Sequence, residues 1–221
     1  MPSFAASFVG FMLRTTGHYR RMFTGGPQFQ KNISKVRSGP QPSPSVKAGL
    51  DVRQSTFQGR PVWHIAPKDR TPSAHVLFWH GGGYVYPATD IHWRFLSRMA
   101  SQYGWSVTAP LYPLAPENAA AHITSWANDY YAAYRDEIGH KPFVMGGDSA
   151  GGGLTAALAQ MARDAAQPLP AALLLICPWL NLDPAHPDQL KTEPRDGILT
   201  ISGISEGGTL YAGNLPRTDP R

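Results

Sequence analysis

Residues 142–161 read Pro-Phe-Val-Met-Gly-Gly-Asp-Ser-Ala-Gly-Gly-Gly-Leu-Thr-Ala-Ala-Leu-Ala-Gln-Met. A short apolar run, Phe143-Val144-Met145, meets glycines on both sides of Ser149. Leu154, Leu158 and Met161 then recur at helical spacing. Strand, glycine-flanked serine and helix in that order form a Gly-x-Ser-x-Gly elbow. Small neighbours let the backbone take a sharp, strained turn there. The turn sets a hydroxyl at a helix N-terminus, where the dipole and free N–H groups favour developing negative charge.

Three other readings compete with this one. A glycine-rich turn with a serine cap accounts for the same letters. A phosphate loop does not, because no Lys-Ser or Lys-Thr pair ends the glycine run. Gly-Asp-Ser-Gly-Gly sites of trypsin-like proteases lie in all-β folds, whereas Ser149 opens a helical pattern. A second motif decides between them. The apolar run His75-Val76-Leu77-Phe78-Trp79 leads straight into His80-Gly81-Gly82-Gly83-Tyr84. Ester hydrolysis passes through a tetrahedral oxyanion that needs fixed donors, and backbone without side chains approaches it closely. Gly81 and Gly82 can offer N–H groups, with Ala150 N–H as a third. His80 and Gly83 are expected to support the loop rather than act as general base.

Around these motifs the pattern is strand and helix in alternation. Ile91, Phe95, Leu96 and Met99 mark a helix that Asp90 can cap. Residues 105–109 form a strand, 123–138 a helix, and 171–176 a buried strand. Such alternation predicts an α/β fold, a mostly parallel sheet with helices on both faces. Ligands bind such sheets outside the carboxyl ends of their strands, which is where Ser149 falls. Residues 47–65 predict two strands around Gln58-Gly59. Phe4, Phe8, Phe11 and Met12 predict an amphipathic helix, and the Pro/Ser-rich stretch 38–46 a linker. The expected organisation is a helical cap segment over 1–45 and a core over 46–221.

At 221 residues, 42% of them hydrophobic, the chain can bury one sizeable core. Its charge of +5 is uneven. Residues 1–70 carry eleven Lys and Arg against Asp51 and Asp69, and the remainder is net acidic. A basic arm packed on an acidic body explains this, and no compact basic run of nucleic-acid type occurs. The lone Cys177 sits in an apolar run, so a buried, reduced thiol is expected. No apolar stretch is long enough to span a membrane, and residues 1–14 lack the pattern of a signal peptide. A cytoplasmic protein is the expectation.

The chain resembles the hormone-sensitive-lipase-like branch of the α/β-hydrolases, the fold-3 carboxylesterases. The resemblance rests on His80–Tyr84, on Tyr112-Pro113-Leu114-Ala115-Pro116-Glu117, on Gly147-Asp148-Ser149-Ala150-Gly151-Gly152 and on Pro178-Trp179-Leu180-Asn181-Leu182. It covers about residues 47–221. It implies Ser149 as nucleophile, with Gly81, Gly82 and Ala150 as oxyanion hole, a small-molecule ester as substrate, and no metal or organic cofactor. Asp148 stands where the family often has Asp, and favourable charge at a helix N-terminus explains it equally well.

The family's acid and base follow the serine, on loops after two further strands. Here only His186 of the eight histidines follows Ser149, and no terminal strand–Asp–strand–His pattern appears. The expectation is a C-terminally truncated chain. Asp183 and His186 are the remaining candidates for acid and base, and a polar loop rich in Pro and Asp is the competing account of both. A serine without a base is a weak nucleophile, so a non-catalytic binding module is the alternative function. Strand 171–176 is expected at an open sheet edge, which favours self-association.

Overall fold

The computed structural model of the chain describes residues 3–182 and 187–216. Six strands form one sheet: β1 (Leu50–Phe57), β2 (Arg60–Pro67), β3 (Ala74–Trp79), β4 (Trp105–Pro110), β5 (Phe143–Asp148) and β6 (Ala172–Ile176), in the order β1-β2-β4-β3-β5-β6. The first two form an antiparallel hairpin, and β2 also runs antiparallel to β4. From β4 through β3 and β5 to β6 the pairing is parallel. The expected α/β architecture is therefore present, with an antiparallel hairpin added at one edge.

The continuous apolar run of β3 follows from its central place. Val76 and Phe78 face one buried cluster with Trp93, Leu96 and Val107; Leu77 and Trp79 face another with Met145, Leu154 and Tyr130. Helix α5 (Asp90–Tyr103) covers the first face, and α6 (Ala120–Ile138) with α7 (Ala150–Asp164) covers the second. A strand covered on both faces cannot alternate polar and apolar residues. Helix α5 is capped by Thr89, and Asp90 is its first helical residue rather than its cap.

The chain leaves β3 toward β4 on one side and returns to β5 on the other. This switch of direction opens a crevice at the carboxyl ends of β3 and β5. Outside the sheet lie helices α1 (Phe4–Thr16), α2 (His18–Met22), α3 (Pro27–Lys35), α4 (Pro44–Lys47), α8 (Pro187–Thr192) and α9 (Ile201–Ala212), of which α3 and α9 pack against residues 84–86 just after the glycine loop. Segments from both ends of the chain are bonded to each other. Arg20 donates to the carbonyls of Glu193, Asp196 and Leu199 at 2.7–3.1 Å. Gly26 N–H donates to Glu206 at 2.6 Å, and Phe29 and Ile33 pack with Val85 and Tyr86. The Pro/Ser stretch lies against the body. The Trp93 indole donates to Pro40 O at 2.6 Å, and Val46 is buried beside it.

Two expectations fail at β6. Its apolar sequence predicted a buried strand, but Leu173 and Leu175 are 43% and 37% exposed. Cys177, expected buried, is also exposed. The reason is position: β6 is the outermost strand, and among the described residues nothing pairs with its outer edge. Among them, too, no helix is long and apolar enough to cross a membrane.

Candidate active site

Ser149 joins β5 to α7 with φ 50° and ψ −118°, a conformation that non-glycine residues rarely hold. Three backbone bonds over-determine it. Its N–H donates to Ile176 O at 3.0 Å, and its carbonyl accepts from Trp179 N–H at 2.8 Å and from Gly153 N–H at 3.0 Å. The segment after β6 thus clamps the turn. Packing explains the flanking glycines. A Cβ on Gly151 would stand 2.6 Å from His80 O and closer still to Trp79 O, and one on Gly147 would stand 2.7 Å from Trp79 O. Only side-chain-free residues let α7 begin this near the end of β3.

Because β3 and β5 are parallel neighbours, with Trp79 opposite Gly147, the glycine loop and the serine turn leave the sheet at the same end. His80 is buried at 4% exposure. Its Nδ1–H donates to Gly81 O at 2.7 Å, and its ring stacks on Tyr112 with centroids 4.4 Å apart. The Tyr112 hydroxyl donates to His80 O at 2.7 Å. Burial first, and the nearby His92 next, push the His80 imidazole down to about 4. A neutral ring engaged with its own loop is a support, and among the described residues no histidine hydrogen-bonds the Ser149 hydroxyl.

Gly81 requires a correction. It was expected to offer its N–H to an oxyanion, but that N–H donates to Asp148 Oδ1 at 2.9 Å. Gly82 and Gly83, with φ of 120° and 62°, each carry a backbone N–H with no protein acceptor among the described residues. Ala150 N–H, first of α7, has no partner along its helix either. Asp148 likewise exceeds its expected role as helix-terminal charge. Its carboxylate takes Gly81 N–H and lies 3.3 Å from His92 Nε2. Burial alone would push this carboxyl up; the hydrogen bond and charge of His92, with the Gly81 N–H, outweigh it and hold the group below its usual range.

Other supports had no role in the sequence reading. Tyr84, at φ 61°, stacks on Tyr211 with centroids 3.7 Å apart. Arg60 donates to the carbonyls of Leu111 and Tyr112, and Arg37 to those of Val85 and Ala115. His92 carried no functional signal in the sequence; its spacing, three residues after Thr89, is a helix-start pattern. The expectations for Asp183 and His186 fall outside the described residues. Among the described residues no cluster of His, Cys, Asp and Glu could hold a metal ion.

The architecture, the strained serine and the neighbouring glycine loop now stand beside the known proteins. A family model described as alpha/beta hydrolase fold matches residues 76–221. This chain belongs to the α/β-hydrolase fold family. Within that family it is 31% identical over 184 residues to a triacylglycerol lipase of Mycobacterium tuberculosis, covering 83% of this chain and 37% of that protein. It is 33% identical over 150 residues to an acetyl-hydrolase of Streptomyces hygroscopicus, covering 66% of this chain and 48% of that one. The chain thus spans about half or less of the length of these relatives. A solved hormone-sensitive lipase from a metagenome library superposes with a TM-score of 0.79 at 25% identity, over 97% of this chain and 71% of that one. The branch named from the motifs agrees with these neighbours.

Proposed function

We propose that this α/β-hydrolase chain carries the nucleophile and oxyanion-binding part of a serine carboxylic-ester hydrolase. The observation that carries the reading is Ser149 held at positive φ beside a glycine loop whose Gly82 and Gly83 N–H groups are unspent. Ser149 Oγ bonds to the ester carbonyl carbon, and the carbonyl electron pair moves onto oxygen. Gly82, Gly83 and Ala150 N–H hold that oxyanion; each such donor contributes roughly 2.7–4 kcal/mol of barrier lowering. Collapse expels the alcohol, which takes up a proton, and water then releases the acid from the acyl-serine. The named lipase and acetyl-hydrolase relatives support an ester as the substrate class.

The Ser149 proton must pass to a base. His80 is buried, neutral and bonded to its own loop, and both nitrogens of His92 face other partners. That observation favours a second reading, a binding module that keeps the turn and does no chemistry. Hydrolysis of p-nitrophenyl acetate and butyrate separates the two. Turnover by the purified chain that disappears in Ser149→Ala supports the hydrolase. Turnover that survives the substitution, or none at all, sends the reading to the binding module.

A further inference from the structure

Asp148 links two segments that share no strand. From α5, Thr89 N–H donates to His92 Nδ1 at 2.9 Å, and the Thr89 hydroxyl lies 2.9 Å from the same nitrogen. An Nδ1 that accepts the backbone N–H leaves Nε2 as the donor nitrogen of the His92 ring. That atom lies 3.3 Å from each Asp148 oxygen. From the glycine loop, Gly81 N–H donates to Asp148 Oδ1 at 2.9 Å. The His92 side chain is 14% exposed and that of Asp148 29%, so solvent competes weakly for these bonds. His80 closes the other side by donating to Gly81 O. The Gly81 residue is therefore held at both its N–H and its carbonyl, directly before the two unspent donors.

We propose that His92 is a positioning residue for the oxyanion loop: through Asp148 it fixes the Gly81 N–H, and so aims the N–H groups of Gly82 and Gly83. Its catalytic consequence rests on the ester-hydrolase reading above, whereas the anchoring itself does not. His92 touches neither substrate nor the reacting atoms. It acts because donors fixed before the reaction spend no energy reorganising as charge develops. Gln in its place can still present an N–H to the carboxylate; Phe fills similar space and offers none.

The test reads anchoring and catalysis separately. Exchange of the Gly81 amide proton, followed by NMR, should quicken at least tenfold in His92→Phe and stay within about threefold of the unmodified protein in His92→Gln. With p-nitrophenyl butyrate, kcat should fall about tenfold or more in the Phe variant with KM within about twofold, and Gln should restore most of it. Unchanged Gly81 exchange in the Phe variant overturns the proposal, as does faster exchange with kcat unaltered. If the unmodified chain turns over no ester, the ester-hydrolase reading fails, and Gly81 exchange alone decides the anchoring. If the Phe variant does not fold, the ring 15N shifts of His92 in the unmodified protein decide: an Nε2–H tautomer supports the relay, and an Nδ1–H tautomer overturns it.

Discussion

The serine turn and the outer strand β6 are neighbours in one sheet, yet opposite principles hold them. Both backbone groups of Ser149 are bonded, and the flanking glycines stand where a single methyl would collide with the backbone of residues 79 and 80. On β6 Leu173 and Leu175 are exposed, the outer edge has no partner among the described residues, and the thiol that follows is exposed. Strain persists only where surroundings over-determine it, so the turn needs the tight packing that the edge can do without. The two regions are coupled, because Ile176 O at the end of β6 and Trp179 N–H just beyond it grip the serine backbone.

If that contrast is right, substitutions should rank by region. The largest effect is expected at Gly151→Val, whose side chain would meet the backbone of Trp79 and His80. We expect a loss of at least about 4 kcal/mol, or no folded protein, by urea denaturation. A loss under about 1 kcal/mol would break the claim that the turn is sterically full.

Acid should act next, through His80. The unfolded chain takes up a proton near the ordinary histidine value of 6.5, while the folded imidazole stays neutral down to about 4. The unfolded state therefore binds more protons between these values, and stability falls as pH falls through that window. The expected loss from pH 7.5 to 4.5 is roughly 2–3 kcal/mol. In His80→Gln this part of the slope should vanish, although His64 and His75, also lowered by burial, retain theirs. An unchanged slope in that variant would show that His80 does not titrate as its burial demands.

Tyr112→Phe removes the hydroxyl that satisfies His80 O. The cost expected is about 1–2 kcal/mol, measured by the shift in urea midpoint, with ester turnover falling by more than stability alone predicts. The smallest effect belongs to the edge. Leu175→Lys should alter stability by less than about 0.5 kcal/mol. It should also reduce any self-association seen in sedimentation velocity, since a charge on an open strand opposes edge pairing. A cost above about 2 kcal/mol would show that β6 is covered in solution.

Most of the fold was legible because parallel sheets leave a local mark. Apolar runs at 75–79, 105–109 and 143–145 became β3, β4 and β5, and the helical spacing of Ile123, Trp126, Tyr130 and Tyr134 became α6. The run at 171–176 misled in one respect. Composition reports that a strand is fit to be buried, not that a neighbour covers it. In the site, the serine turn and glycine loop were legible as motifs, since both need particular residue types in sequence. The sharing of donors was not: Gly81 and Gly82 look alike as letters, and Asp148 selects between them across 67 positions of chain.

By itself the sequence determined an α/β sheet, a serine at a strand-to-helix junction, and a glycine loop after a neighbouring strand. Those are consequences of local rules: backbone conformation, side-chain period and the small size of glycine. Tertiary structure alone decided which N–H groups stay free, that His92 reaches Asp148 from another helix, and that His80 is buried neutral against Tyr112. These depend on groups remote in sequence meeting at hydrogen-bond distance, and on burial that changes their charge, which no spacing rule encodes.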